Sequence, residues 1–291
     1  MGRRRRRWPI LAALALALAG WTAWGLWRSA HDPVARTWQV ELPGLTAPVR
    51  AAVLSDLHES LSASDRRALA ELTAQAAPDV ILLAGDMLNA DSPDASGAVS
   101  AVASLAAIAP VYYAPGNQEL DYAAAGTSPL WDELAAGAVV LEQSYVDLDL
   151  GGGLRLGGLY DYAFAQDDFN TCDPDHMDPA VYGFLEDFQA TRRCKVLLCH
   201  RPDSFVFGAA ADTWDVDLVV SGHLHGGQVV LPVLGGVYGG DQGWFPAYVH
   251  GVYEKGNVTL AVTAGLGTQG GRVPRFRNPP ELMVLDLVPE T

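Results

Sequence analysis

The chain has 291 residues, 49% of them hydrophobic, which suffices for one large α/β core or two small domains. Its formal net charge is −15 even with an arginine run at positions 3–7, and so acidic a surface repels nucleic acid backbones, which excludes DNA or RNA as an extended partner. The three cysteines, Cys172, Cys194 and Cys199, show no C-x-x-C spacing, which argues against a thiolate zinc site.

The arginine run is followed by an apolar, uncharged stretch from 8 to 27. Twenty helical residues rise about 30 Å, the thickness of a bilayer core. Trp8, Trp21, Trp24 and Trp27 sit toward its ends, where aromatic rings favour the interface. Residues 1–28 therefore predict a basic N-terminus and one transmembrane anchor. The charge asymmetry predicts a single-pass protein of the cell membrane with its N-terminus in the cytoplasm and the remainder outside. A cleaved signal peptide is the competing reading, because Ala17-Leu18-Ala19 has the small-x-small pattern. Both readings export the domain.

Residues 29–48 read as a linker and first strand, and 49–291 as one domain. The first clear core strand, 49–54, leads into Asp56-Leu57-His58. Ser64 is the expected N-cap of a helix over 65–77, stopped by Pro78. A buried strand at 80–84 precedes Gly85-Asp86. A helix at 95–109 and a strand at 111–114 lead into Gly116-Asn117-Gln118-Glu119. A short helix follows at 130–136, then strands at 139–141, 145–150 and 154–159. The stretch 160–179 is rich in aspartate but lacks EF-hand spacing, so it reads as a solvated loop near the site. A helix at 180–191 precedes strands at 196–199 and 216–220. These lead into His200 and into Gly222-His223-Leu224-His225-Gly226-Gly227. Segments 258–264 and 282–287 read as a second β-rich half. Alternating strands and helices predict α/β layers, with ligand candidates at the carboxyl ends of strands.

Those motifs supply two Asp, one Asn and four of the seven His. Mixed oxygen and imidazole donors suit manganese, iron or zinc, whereas magnesium or calcium favours oxygen alone. Asp56 and His58 are two apart, so in an extended segment both leave one face, and the same holds for His223 and His225. Taken singly, an Asp after a strand is a turn former and a histidine is a satisfied core or surface residue. Seven such residues in this order outweigh those readings. His31 and His176 stay structural. His250 falls in a region expected to line the pocket. Arg201 and Arg272 are candidate phosphate contacts, with ordinary pairing as the simpler reading. Cys199 ends an apolar run as a buried thiol, and Cys172 with Cys194 is the one pairing considered.

The order D-x-H, GD, GN-x-E, H, GH-x-H resembles the calcineurin-like metallophosphoesterase family, from about residue 49 to the C-terminus. Asp241-Gln242-Gly243, Gly265-Leu266-Gly267-Thr268 and Arg277-Asn278-Pro279-Pro280-Glu281 are similar to its bacterial membrane-anchored branch. The resemblance implies an α/β sandwich of two mixed β-sheets flanked by helices. It implies two divalent metal ions, the first on Asp56, His58, Asp86 and His225, the second on Asp86, Asn117, His200 and His223. Asp86 would bridge, and a hydroxide between the ions would attack phosphorus in a phosphate ester or pyrophosphate. One position departs from the family: where it carries His after the Asn, this chain has Gln118. Glutamine hydrogen-bonds but does not titrate, and general acid help is worth about 10²–10⁴-fold. Gln118 therefore favours good leaving groups, as in an aryl diester or the pyrophosphate link of a nucleotide-sugar lipid. Glu119, Asp121 and Tyr122 are the alternative acids. The first reading is a membrane-anchored metal-dependent phosphoesterase acting on a phosphorylated small molecule or lipid. Its rivals are a weak or inactive metal-binding relative serving as sensor or scaffold, and a protein phosphatase with an open groove.

Overall fold

A computed structural model describes residues 7–160, 175–268 and 273–290. The apolar N-terminal stretch forms one continuous helix, α1 (Arg7–His31), most of its surface exposed. Only Asp32 and Pro33 separate it from strand β1 (Val34–Leu42). Next come β2 (Val49–Leu54), α2 (Ala63–Ala76), β3 (Val80–Ala84) and α3 (Ser96–Ala106). Then follow β4 (Val111–Ala114), α4 (Asn117–Ala124), α5 (Leu130–Ala135) and β5 (Val139–Val140). The chain continues through β6 (Ser144–Leu148), β7 (Leu154–Leu159), α6 (Pro179–Gln189) and β8 (Cys194–Cys199). Two short helices, α7 (Asp203–Phe207) and α8 (Ala210–Thr213), precede β9 (Leu218–Ser221). A small ribbon, β10 (Val230–Leu231) and β11 (Gly235–Gly236), is followed by β12 (Gly251–Lys255), β13 (Val258–Val262) and β14 (Glu281–Pro289).

The strands build two mixed sheets. The first has the order β1-β14-β2-β3-β4-β5, with β14 parallel to β1, antiparallel to β2, and β2 to β5 parallel. The second has the order β12-β13-β9-β8-β7-β6, its outer strands antiparallel to a parallel centre. Strand β3 is an unbroken run of Val, Ile, Leu and Ala, and β2, β8 and β9 carry shorter runs of the same kind, because both faces are covered. Along β2, Ala51 and Val53 point into the space between the sheets, against Leu156, Val196, Leu198 and Val220. Ala52 and Leu54 point the other way, under α2 and α3, with Leu69, Val102 and Leu105. The far face of the second sheet packs Leu197 and Val219 against Val181, Phe188 and Phe205. The result is helix, sheet, sheet, helix, the two-sheet sandwich that the family resemblance implies.

The base of α1 is built into this body. Ser29 is buried, its Oγ accepting the Asn278 N–H at 2.9 Å. His31 Nδ1 lies 3.3 Å from Asp65 Oδ2 in α2. Trp21 meets Phe276 edge-on with ring centroids 5.2 Å apart. Residues 29–48, read as a linker and strand, thus consist mainly of a helix end and a paired strand.

Several local expectations change. The N-cap of α2 is Ser62, whose Oγ accepts the Asp65 N–H, and not Ser64. Helix α4 starts at Asn117, within the Gly116-Asn117-Gln118-Glu119 motif, where no helix was expected, and α7, α8, β10, β11 and β12 had no counterpart in the sequence reading. β13 and β14 enter different sheets and do not make a second β-rich half. Most of the aspartate-rich loop lies outside the described residues, as do Cys172 and Arg272.

Candidate metal centre

The carboxyl ends of β2, β3, β8 and β9 run directly into the polar motifs. There the backbone departs from the extended geometry expected of the D-x-H and H-x-H pairs. Asp56, His58, Asp86, His223 and His225 have φ of 56°, 46°, 56°, 67° and 46°, all left-handed. For a residue with a Cβ this costs about 1–2 kcal/mol each, and strain of this kind gathers at functional sites. The sharp turns bring Asp56 and His58 together but send His223 and His225 to different neighbours. Gly85, with φ 81°, is pressed against Gly116, and a Cβ there would lie 2.8 Å from His200 Nδ1.

Two groups of donors result. One is Asp56, His58 and His225, the other Asp86, His200 and His223, and within each the donor atoms lie within 4.8 Å of one another. The groups adjoin. His58 Nε2 is 3.8 Å from both Asp56 Oδ1 and Asp86 Oδ2. His200 Nε2 is 3.2 Å from Asp86 Oδ2 and 4.0 Å from Asp56 Oδ1. His225 Nε2 is 3.9 Å from Asp56 Oδ1. Asn117, the first residue of α4, faces the same cleft as Asp86, His223 and His225. Its Oδ1 and the Nε2 of His58 are buried without a hydrogen-bond partner among the described residues. Buried polar atoms rarely go unsatisfied, and lone pairs so placed fit cations. The donor set suits borderline divalent metals.

A supporting layer fixes the donors. His200 Nδ1 must donate to the Ala84 carbonyl, 2.6 Å away, which leaves its Nε2 lone pair toward Asp86. Asn89 does the same for His58. Its Nδ2 donates to the His58 carbonyl at 3.0 Å, so its Oδ1 accepts from His58 Nδ1, also at 3.0 Å. Asp56 accepts from the Ser55 hydroxyl at 2.7 Å and from the His223 N–H at 3.1 Å. Asn278 Nδ2 donates to the His225 carbonyl at 2.6 Å. Glu119, fully buried, accepts from the N–H groups of Asp86, Met87 and Gly116 and from Tyr113 Oη. It thereby clamps the Gly85-Asp86 loop to the Gly116-Asn117 loop. Sequence reading missed the positioning roles of Asn89, Ser55 and Asn278. Asn278 does fall in a motif noted for another reason, and Asn89 carried no signal.

The electrostatics favour unprotonated His223, His225, Asp56 and Asp86, whereas at His58 burial is outweighed by the Asp56 and Asp86 carboxylates, which raise the imidazole. Burial, with the positive charge of His200 and Arg201 nearby, lowers His223 to about 3. Burial likewise lowers His225 to about 4. Both imidazoles are neutral at pH 7. Burial opposes charge on Asp56 and Asp86, but the surrounding imidazoles outweigh it and hold both below the usual carboxylate range. Burial and the charge of Asp86 raise Glu119 above it.

Other expected residues are placed differently. Gln118 is buried, and its Oε1 accepts the Ala90 N–H at 2.9 Å. Its backbone N–H donates to Asp86 Oδ1 at 2.9 Å. The alternative acids fall away: Glu119 is consumed by its clamp, and Tyr122 is buried with its hydroxyl on Ser128. Asp121 is exposed on α4. His250 does not line the cleft. Its Nε2 lies 2.8 Å from Glu281 Oε2 and its ring meets Trp38 edge-on. Arg201 is paired with Asp203 at 3.3 Å and with Asp241.

Over the donors opens a cleft of about 770 Å³. Asp86, Asn117, His223 and His225 form its polar floor, and Leu224, Val229, Val237, Tyr238, Trp244 and Val273 its apolar wall.

Residues 49–227 match the family model described as calcineurin-like phosphoesterase. Cj0846, an uncharacterized metallophosphoesterase of Campylobacter jejuni, is 26% identical over 99% of this chain and 73% of its own. YkuE of Bacillus subtilis, also an uncharacterized metallophosphoesterase, is 31% identical over 72% of this chain and 68% of its own. The phosphodiesterase YaeI of Escherichia coli is 31% identical over 83% of each chain. With two adjoining donor groups at the strand ends and a match across most of the domain, the chain belongs to the calcineurin-like phosphoesterase family and is a metal-dependent phosphoesterase.

Proposed function

We propose that the chain is a membrane-anchored phosphoesterase that hydrolyses a phosphate ester or pyrophosphate bond in a lipid-linked substrate outside the cytoplasm. The observation that carries this reading is the cleft itself, a metal-ligating floor beneath a wall of Leu, Val, Tyr and Trp side chains. Such a wall suits the apolar part of an amphiphile. Helix α1, apolar and exposed, supports an anchor at 1–28, residues 29–48 joining it to a catalytic domain at 49–291. The name of YaeI, a phosphodiesterase, supports a diester or related link.

In this reading Asp56, His58, Asp86 and His225 hold one ion, and Asp86, Asn117, His200 and His223 the other. When bound, two divalent ions of the manganese, iron or zinc class supply Lewis-acid polarisation of phosphoryl oxygens and lower the pKa of water. The protein's share is positioning. Neutral His223 and His225 and ionised Asp56 and Asp86 offer lone pairs without a proton to displace. Gln118, held by the Ala90 N–H, brings no titratable proton to the leaving oxygen. The leaving group must then depart unaided, which favours a phosphate or phenolate. The same residue supports the second reading, a weak or inactive metal-binding relative.

The deciding experiment loads the full chain with manganese and measures its metal content and its turnover of an aryl phosphodiester and of a lipid pyrophosphate in mixed micelles. Hydrolysis of both, with the lipid preferred, is expected. Full metal occupancy without turnover would establish the scaffold reading. Asp86→Ala should lose more metal than His58→Ala, and two equivalents retained in Asp86→Ala would overturn the bridging role.

A further inference from the structure

Outside α1, exposed large apolar side chains are few among the described residues, and most gather in one place. Val233 is fully exposed, Trp244 71% and Leu234 60%, with Tyr238, Phe245 and Val273 beside them in sequence or across the cleft. Val233 and Leu234 form the tip between β10 and β11, and Trp244 and Val273 line the cleft mouth. Val233 and Phe245 have φ of 70° and 54°, a conformation that glycine would adopt freely and a β-branched residue adopts at a cost. The whole stretch 226–240 carries no charged side chain, in a chain of net charge −15. A surface patch that is apolar, aromatic and uncharged marks a contact site.

Its position identifies the contact. Val230 N–H donates to the Phe276 carbonyl at 2.9 Å, and Phe276 N–H to the Gln228 carbonyl at 3.2 Å. Phe276 in turn packs on Trp21 of α1, and the Arg277 guanidinium lies 5.2 Å from the centre of the same indole. The apolar tip is therefore one strand away from the helix. From Trp8 to Trp21 the helix rises about 20 Å, so if Trp8 marks the inner interface, Trp21 lies in the outer half of a core about 30 Å thick. A patch joined to that turn of the helix is held within about 10 Å of the outer interface, the level at which Trp and Tyr side chains are favoured.

We propose that the β10–β11 tip, with Trp244 and Phe245, is a second membrane contact, seated in the headgroup layer beside α1 so that the cleft mouth opens onto lipid. This rests on α1 being a retained anchor. Its occupant is the bilayer surface, not a second protein, because the patch is continuous with the anchor's own contact at Phe276.

The test uses the full chain in lipid nanodiscs, in a Cys172→Ser background with one environment-sensitive fluorophore at Leu234→Cys. Leu16→Cys, within the span, and Asp149→Cys serve as controls. Asp149 adjoins Gly151, which bonds Thr46 ahead of β2, at the end of the sheets opposite the donors. The expected result is quenching of the 234 label by nitroxide lipid and loss of quenching by aqueous iodide, with the reverse at 149. Iodide quenching at 234 equal to that at 149, with the label at 16 still lipid-quenched, overturns the contact and leaves the anchor standing. Shielding at 234 from both quenchers assigns the patch to a protein partner and also overturns it. A label at 16 open to iodide removes the anchor, and the contact with it.

Discussion

Asn89 does for His58 what a main-chain carbonyl does for His200: it takes the Nδ1 proton and turns Nε2 to the site. Asn89→Ala should weaken metal binding about 10–100-fold, confined to the group containing His58, while Asn89→Asp should keep most of it. Metal titration with stoichiometry checks this, and an unchanged affinity would remove Asn89 from the site. Gln118 yields the second residue-scale prediction. Gln118→His should raise turnover of esters with poor leaving groups by up to ~10²-fold, the low end of general-acid effects, and leave good leaving groups unchanged. A series of aryl phosphodiesters measures it. A uniform change across the series would mean that the side chain stays on the Ala90 N–H and never meets the leaving oxygen. The six residues of the two donor groups, and Asn117 beside them, were legible as candidates in the sequence because they follow apolar runs, in an order that resembles a known family. Their left-handed backbones were not, since local preference gives that conformation freely only to glycine, and Asp, Asn and His adopt it as the exception that the tight turns at these strand ends require.

Among the elements, α4 shows how the site is braced. Its third residue, Glu119, joins the start of the helix to the loop after β3 through four buried donors. Glu119→Ala would orphan them, at about 1–3 kcal/mol for each donor that water fails to satisfy. A net loss of about 3 kcal/mol corresponds to a melting point lowered by roughly 6–12 °C in a domain of this size. Calorimetry on metal-free protein isolates this from ligand loss, and an unchanged midpoint would mean that the clamp is dispensable. The core strands 49–54, 80–84, 111–114 and 154–159 were legible as mainly apolar segments, interrupted only by Arg50 and Arg155, and all four form as read. Helix α4 was not, because Gly116-Asn117 has turn chemistry and its helical continuation depends on Glu119 being buried. The partition into two sheets was equally hidden. β14 slots between β1 and β2 from the other end of the chain, and no local pattern encodes a pairing at that separation.

At the scale of the whole molecule, the donors tie both sheets together: Asp56, His58 and Asp86 follow strands of the first, His200, His223 and His225 strands of the second. Ions bound between them should brace the sandwich. At a free metal concentration 100 times the dissociation constant, one site adds about 2.7 kcal/mol. Chelation should accordingly lower the thermal midpoint, and manganese should restore it. Equal midpoints with and without chelator would mean that the ions do not bridge the sheets. The two-residue joint at Asp32 and Pro33, reinforced by Ser29 on Asn278, has a different consequence. If α1 spans a bilayer, so short a joint gives the active site no reach: it travels with the membrane at one fixed height and samples a plane, not a volume. Turnover of a lipid substrate should then follow its mole fraction among the surrounding lipids. Diluting the substrate with inert lipid should slow the enzyme, while diluting the vesicles in buffer should not.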